Sequence, residues 1–354
     1  MAPAELRIGI VGAGAIARSR HIPGLRALPG VRIVGLCNQR RESAGRVARE
    51  FDIPKIFDGW EHLVDDPEID AILIGTWPYL HCPITLAALD AGKHVLTQAR
   101  MAMNAREAQR MLDKSREHPE LAAMVVPSPY GLAGDAYIKA LISDGFLHHV
   151  REIHVTGFSK ELADRSTPMG WRQVTKYSGF NMLNLGILHE TAARWTSPVT
   201  RVVAYASKLI PKRVDPEDGE KARVGTADSV QVLTAHADGA VGSYRLSGVL
   251  WHGLGSSVAI YGSAGTLIYD LTRDEISGAK RGEELRPMPI PEDLRGGWSV
   301  EADFVAAIRG ERPVTHTDFA SGVNYMQFTE AVARSSRHQE PVALPLKEFS
   351  NPSL

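Results

Sequence analysis

Apolar positions fall into two regimes along this chain. Through the first third, short runs rich in Val, Ile and Leu, at residues 6–11, 31–36, 71–76, 94–97 and 122–126, alternate with stretches of helical periodicity. Runs that are apolar at successive positions suit strands buried on both faces, as in a parallel sheet. Residues 83–91 put Ile84, Ala87 and Ala88 on one side of a helix, and residues 105–117 do the same with Ala108, Met111 and Leu112. Asn104 followed by Glu107 reads as a capping box ahead of the second helix. Strand and helix in alternation predict right-handed βαβ units and a doubly wound sheet.

The pattern changes near Pro127-Ser128-Pro129. One helix is expected at 135–143. Strands follow at 151–157, 201–207, 229–234, 242–250, 258–261 and 266–269, mostly consecutive, with Ser263-Ala264-Gly265 as a hairpin turn. That order predicts a largely antiparallel sheet. Residues 212–223 and 281–297, charged and bearing Pro and Gly, read as surface loops, and helices at 300–309 and 318–337 close the chain.

Directly after the first strand stands Gly12-Ala13-Gly14-Ala15-Ile16-Ala17, a G-x-G-x-x-A turn. Gly12 allows the tight bend. Gly14 lets the backbone approach a pyrophosphate held at the positive end of the next helix. Strand before and βαβ after are the context that makes this a dinucleotide site. A carboxylate for the ribose 2′-hydroxyl is expected at the end of the second strand, but the sequence there is Cys37-Asn38-Gln39-Arg40-Arg41. A guanidinium can bind a 2′-phosphate bidentately. NADP is therefore favoured over NAD, with NAD still able to bind through Asn38.

Composition narrows the alternatives. The 354 residues suit two domains. A formal net charge of -1 argues against a nucleic-acid partner. Two cysteines, Cys37 and Cys82, give no disulfide framework, and the start of the chain has no signal-peptide pattern, so a cytoplasmic protein is expected. No apolar run is long enough for a membrane. His189-Glu190-Thr191-Ala192-Ala193 begins like a zinc motif, but Ala193 removes the second ligand, and no metal is expected.

Thr76-Trp77-Pro78-Tyr79-Leu80-His81, then Ala91-Gly92-Lys93-His94-Val95-Leu96, resembles the glucose-fructose oxidoreductase / inositol dehydrogenase / rhizopine-catabolism (Gfo/Idh/MocA) family. The later segments Tyr261-Gly262-Ser263-Ala264-Gly265-Thr266 and Trp298-Ser299-Val300-Glu301-Ala302-Asp303 agree in outline. The resemblance implies an α/β fold in two parts. Residues 1–127 would form a Rossmann domain for NAD(P). Residues 128–354 would form an α/β domain with a large, mostly antiparallel open sheet for substrate binding and oligomerisation. The C-terminal helix is the element that could pack back on the first domain. It also implies a sugar, polyol or similar hydroxylated substrate and a homodimer or tetramer.

The departures from the family are at the chemistry. Its Glu-Lys-Pro is Gln98-Ala99-Arg100 here, so the Lys that polarises the reacting hydroxyl is missing. Its Asp and His fall on Asn184 and Leu188, with His189 one helical step, about 100 degrees, away. His189 and Tyr177 are the remaining candidates for proton transfer, with Arg100 as a clamp for substrate oxygens. Trp171, Arg172, Asn181 and Asn184 are candidate substrate contacts. Gly12, Gly14, Ala15, Ile16, Asn38, Arg40, Arg41, Thr76, Trp77, His81 and Gln98 are candidate cofactor contacts. Three functions stay open: a nicotinamide-dependent oxidoreductase, a redox-neutral lyase, hydrolase or epimerase using the bound cofactor transiently, and a cofactor-binding sensor without turnover.

Overall fold

The computed structural model describes residues 5–314 and 316–349. Its first sheet has six parallel strands: β1 (Leu6–Val11), β2 (Val31–Cys37), β3 (Lys55–Ile56), β4 (Ala71–Ile74), β5 (His94–Thr97) and β6 (Ala123–Val125). Their order, β3-β2-β1-β4-β5-β6, is that of a Rossmann fold. The apolar runs explain the burial: Ile8, Ile10, Ile72, Leu73, Val95 and Leu96 are all enclosed. The helix Ala105–Glu117 starts at Asn104, whose side chain accepts from the Glu107 N–H at 2.9 Å. The Glu107 carboxylate returns to the N–H of Met103, one residue earlier than a standard capping box.

The second sheet has nine strands in the order β16-β15-β14-β13-β7-β12-β11-β8-β17. In chain order these are β7 (Val150–Phe158), β8 (Val199–Ser207), β11 (Ser229–His236), β12 (Val241–Ser247), β13 (Ser256–Gly262), β14 (Gly265–Asp270), β15 (Glu275–Lys280), β16 (Arg286–Pro287) and β17 (Val342–Ala343). Every pairing is antiparallel except β7 with β12. The turn at Ser263-Ala264 joins β13 to β14 as expected. Residues 212–223 are not a plain loop. They form a hairpin of β9 (Lys212–Val214) and β10 (Lys221–Arg223), in which the guanidinium of Arg213 is buried and donates to the carbonyls of Asp164 and Thr167. β15 and the short β3 were also absent from the apolar pattern, since Glu275–Lys280 and Lys55–Ile56 carry too few apolar residues.

The chain divides into two compact units, the first of which runs to Pro127 and also takes in a later segment. Ser299–Val323 belongs to the first unit, so among the described residues the second comprises Ser128–Trp298 and Asn324–Phe349. In the first unit the helix Val300–Ile308 lies against Ile22–Arg26, and Thr317 and Asp318 run beside β6. Among the described residues no helix is long and apolar enough to cross a membrane.

Candidate active site

In the first unit the Gly-rich turn follows β1 at the point where the sheet order reverses. Gly12 has φ +88°, and a Cβ there would lie 2.7 Å from the backbone of Gly75 and Thr76. A side chain at Gly75 would in turn strike the Gly12 carbonyl. The two turns leaving β1 and β4 can therefore touch only as glycines. Above Gly14 there is nothing within 4 Å of where a Cβ would sit. That open backbone, at the start of the helical segment containing Ala15, Ile16 and Ala17–His21, is what a pyrophosphate requires. Gly12, Ala13, Gly14, Asn38, Gln39, Ser43, Asp58, Trp60, Thr76, Trp77 and Tyr79 line a crevice of about 480 Å³. Ala15 and Ile16 are exposed but are not part of its lining.

Asn38 is committed to the turn. Its Oδ1 accepts from the Ala13 N–H at 2.8 Å, and its Nδ2 donates to Ser43 Oγ at 3.1 Å. Arg40 is exposed at the N-cap of the helix Arg41–Glu50. Arg41 pairs with the carboxylate of Asp58, which lines the crevice. Both partners are largely exposed, so the pair is weak and exchangeable. The sequence reading missed Asp58, which enters from β3, twenty residues beyond Asn38, with no motif to mark it.

The carboxyl ends of β4 and β5 are fastened together by His81. This ring is buried; Nε2 lies 2.9 Å from the Thr76 carbonyl, and Nδ1 lies 3.0 Å and 3.2 Å from those of Arg100 and Met101. Burial pushes its pKa down. His81 is thus a structural staple and not the cofactor contact expected. The Lys93 of Ala91-Gly92-Lys93-His94-Val95 is also structural: its Nζ donates to the carbonyls of Asp66 and Ile69, and desolvation lowers its pKa. Arg100 is buried, and the peptide before it is cis. Gln98 directly follows β5, and its side-chain Nε2 reaches His21 Nε2. His21 Nδ1 lies 2.5 Å from Glu301 Oε1. Neither His21 nor Glu301 was singled out from the sequence; 280 positions separate them, and only the fold brings them together.

The second unit carries its own pocket, of about 660 Å³. Trp171, Arg172 and Asn184, expected as substrate contacts, line it together with Tyr130, Glu161 and Gln173. The Arg172 guanidinium lies 4.3 Å from the centroid of the Trp171 ring. Desolvation lowers its pKa, and the Glu161 carboxylate opposes that shift. Burial and Glu161 both push the Tyr130 phenol up. Gln173 accepts from the Gly170 N–H through Oε1, while its buried Nε2 has no protein partner.

Three expected residues stand differently. His189, on the helix Leu185–Ala193, is only 7% exposed. Its ring stacks on Phe328 with centroids 3.6 Å apart, and Nδ1 lies 2.8 Å from the Tyr244 hydroxyl. Burial pulls its pKa down to about 3. An imidazole so enclosed stays neutral and packs; the expectation that it moves a proton is corrected. Leu188, at the family's His position, is buried too, against Gly157. Asn181 is buried and donates to the Ser178 carbonyl at 2.6 Å, so it shapes the turn and does not line the pocket. Tyr177 is half-buried, and Lys176 Nζ sits 4.6 Å from its ring centroid. The hydrogen bond between them raises the lysine pKa.

The fold and crevice define a nicotinamide-dinucleotide-binding oxidoreductase of the Rossmann class. Residues 6–150 match the oxidoreductase family with NAD-binding Rossmann fold, and residues 136–268 match the GFO/IDH/MocA C-terminal domain. The chain belongs to the Gfo/Idh/MocA oxidoreductase family. It is similar to levoglucosan dehydrogenase of Pseudarthrobacter phenanthrenivorans, 25% identical over 96% of this chain and 98% of that one. It is also similar to trans-1,2-dihydrobenzene-1,2-diol dehydrogenase of Sus scrofa, 28% identical over 73% of this chain and 72% of that one. A solved levoglucosan dehydrogenase, in complex with NADH and L-sorbose, superposes with a TM-score of 0.86 over 97% of this chain and all of that one, at 23% identity.

Proposed function

We propose that the protein oxidises a CH–OH group of a carbohydrate-like molecule, or reduces the matching carbonyl, with NADP(H) preferred over NAD(H). The observation that carries this is the wall of the second unit's pocket. The stacked Trp171 and Arg172 offer an aromatic face beside a cation, and Asn184 adds an amide. A sugar presents the same alternation of C–H faces and hydroxyls. Levoglucosan and inositol dehydrogenases among the relatives support the substrate class. Gly12, Gly14, Thr76 and Trp77 would hold the dinucleotide, and Arg40 and Arg41 its 2′-phosphate. A nicotinamide held there would supply hydride transfer at its C4.

With Ala99 and Leu188 at the family's Lys and His positions, and His189 in the core, the proton falls to Tyr177 Oη. Lys176 beside it would hold the phenol's oxygen in a polarised state. Tyr177→Phe should lower turnover by about 100-fold or more with little change in cofactor affinity. A tenfold rise in KM alone would refute Tyr177 as the acid or base.

A second reading, cofactor binding without turnover, is favoured by the same two replacements. A screen of sugars and polyols at 340 nm separates them. Stoichiometric absorbance change supports the oxidoreductase. Product without net change marks the redox-neutral reaction, and binding without product the sensor.

We also propose that two copies pair through the open face of the nine-stranded sheet, in a cytoplasmic protein whose two cysteines are buried and unpaired. Tyr205 and Leu233 are 60% and 64% exposed, Val203 pairs with Leu233, and Val241 lies diagonal to it on the same face. An apolar patch of this kind marks an interface. Leu233→Asp should yield monomers in size-exclusion chromatography with light scattering.

A further inference from the structure

The polar chain Gln98–His21–Glu301 has no part in the chemistry above, and it lies wholly within the first unit. Each link is constrained. Glu301 is only 4% exposed and His21 is fully buried. Glu301 Oε1 lies 2.5 Å from His21 Nδ1, and a carboxylate oxygen there accepts from an Nδ1–H. In the neutral ring Nε2 is then a lone pair, able only to accept. Gln98 Nε2 stands against that nitrogen, the pairing in which the amide N–H donates to its lone pair. With the ring protonated, Nε2–H would donate and the amide would have to reverse. Room for the carboxylate is provided by Gly24, where a Cβ would fall 2.8 Å from Glu301 Oε2.

We propose that His21 and Glu301 are positioning residues. Through the tautomer of His21 they fix the Gln98 amide so that Oε1 is the acceptor offered at the carboxyl end of β5, to a donor on the nicotinamide half of the dinucleotide. Gln98 follows the β5 residue that pairs with Ile74, and its backbone N–H donates to the Ile74 carbonyl, just ahead of the Gly75-Thr76 turn. This is the end of the sheet at which a Rossmann fold holds its cofactor. The carboxamide N–H2 of nicotinamide is a donor of the right kind. The inference rests on the nicotinamide site described above, and it adds what sets the polarity of that site.

The test is a double-mutant cycle on the full-length protein, reading NADPH and NADH dissociation constants by fluorescence titration. Gln98→Ala should weaken binding by about tenfold, the scale of one hydrogen bond. Glu301→Gln, whose amide can donate to or accept from Nδ1 and so releases the tautomer, should cost about fivefold alone and less than twofold in the Gln98→Ala background. Gly24→Ala, which favours its helix but displaces the carboxylate, should behave like Glu301→Gln. An undiminished loss for Glu301→Gln on top of Gln98→Ala would show a purely structural role and overturn the proposal. So would unchanged affinity in Gln98→Ala. Should Glu301→Gln fail to fold, ¹⁵N NMR of the wild-type histidines decides: the Nδ1–H tautomer at His21 is required, and the Nε2–H tautomer refutes it. Failure of the wild type to bind either dinucleotide would refute the cofactor site itself, a distinguishable result.

Discussion

The Gly-rich turn of the first unit and the segment Ser178–His189 of the second carry the two halves of the expected chemistry, and they behave in opposite ways. In the turn, function is a property of the backbone. Gly12 and Gly14 are placed by strand, bend and helix, and both line the crevice. In the segment, function depends on which way side chains face, and one helical step decides it. His189 turns into the core onto Phe328, while Leu188 takes the family's His position. Chemistry made by the main chain tolerates a diverged neighbourhood; chemistry made by side-chain direction does not.

The sharpest way to break this comparison is at Gly12. Gly12→Ala forces a side chain into a positive φ and onto the Gly75-Thr76 backbone. It should weaken NAD(P)H by roughly 100-fold, about 2.7 kcal/mol, in a fluorescence titration. A loss below threefold would show that the turn does not set the site. At His189 the expectation is reversed. His189→Ala should cost about 2–4 kcal/mol of stability in urea unfolding, as other buried truncations do, while turnover per folded molecule changes less than threefold. A 100-fold fall in turnover with unchanged stability would restore it as a catalytic residue.

The same histidine gives a pH signature. Its pKa is about 3 in the folded chain against 6.5 ordinarily, so between these values the unfolded chain binds the extra proton. Stability from this residue is full above pH 6.5 and is lost as the pH falls toward 3. By pH 5 the loss is about 2 kcal/mol relative to pH 7.5. His189→Leu should flatten the unfolding free energy over that interval by the same amount; an unchanged slope would show the ring to be solvated. The smallest effect concerns the ribose end of the crevice. Arg40→Ala with Arg41→Ala should weaken NADPH by about 1–3 kcal/mol and leave NADH nearly unchanged in parallel titrations. Equal losses would mean that Arg41 serves only Asp58.

These contrasts explain how far the chain could be read. Five of the six strands of the first sheet were legible because they are apolar at successive positions, and the helix Ala105–Glu117 because Asn104 and Glu107 mark its start. The hairpin of Lys212–Val214 and Lys221–Arg223 was not, since its one buried side chain is Arg213, whose burial is satisfied by distant carbonyls. At the site, Trp171 and Arg172 were readable as an aromatic–cation pair. Glu161, Gln173 and Asp58 had no motif, and Glu301 was invisible because its partner lies at the other end of the chain. His81 and Lys93 were readable as a pattern but not in role: both serve backbone carbonyls.

Residues 316–318 have one more consequence. Thr317 accepts from the Val125 N–H at 2.9 Å and Asp318 pairs with Met124, so the outer strand of the Rossmann sheet is closed by chain that arrives after Ser128–Trp298 of the second unit has been made. A gene fragment ending at Pro127 would leave that strand as a bare, sticky edge and would omit Glu301 as well. During synthesis on the ribosome the nucleotide-binding half must therefore wait, partly unsealed, for nearly two hundred further residues. Its inheritance is that of an interrupted module: it can be moved between proteins only when the late segment travels with it.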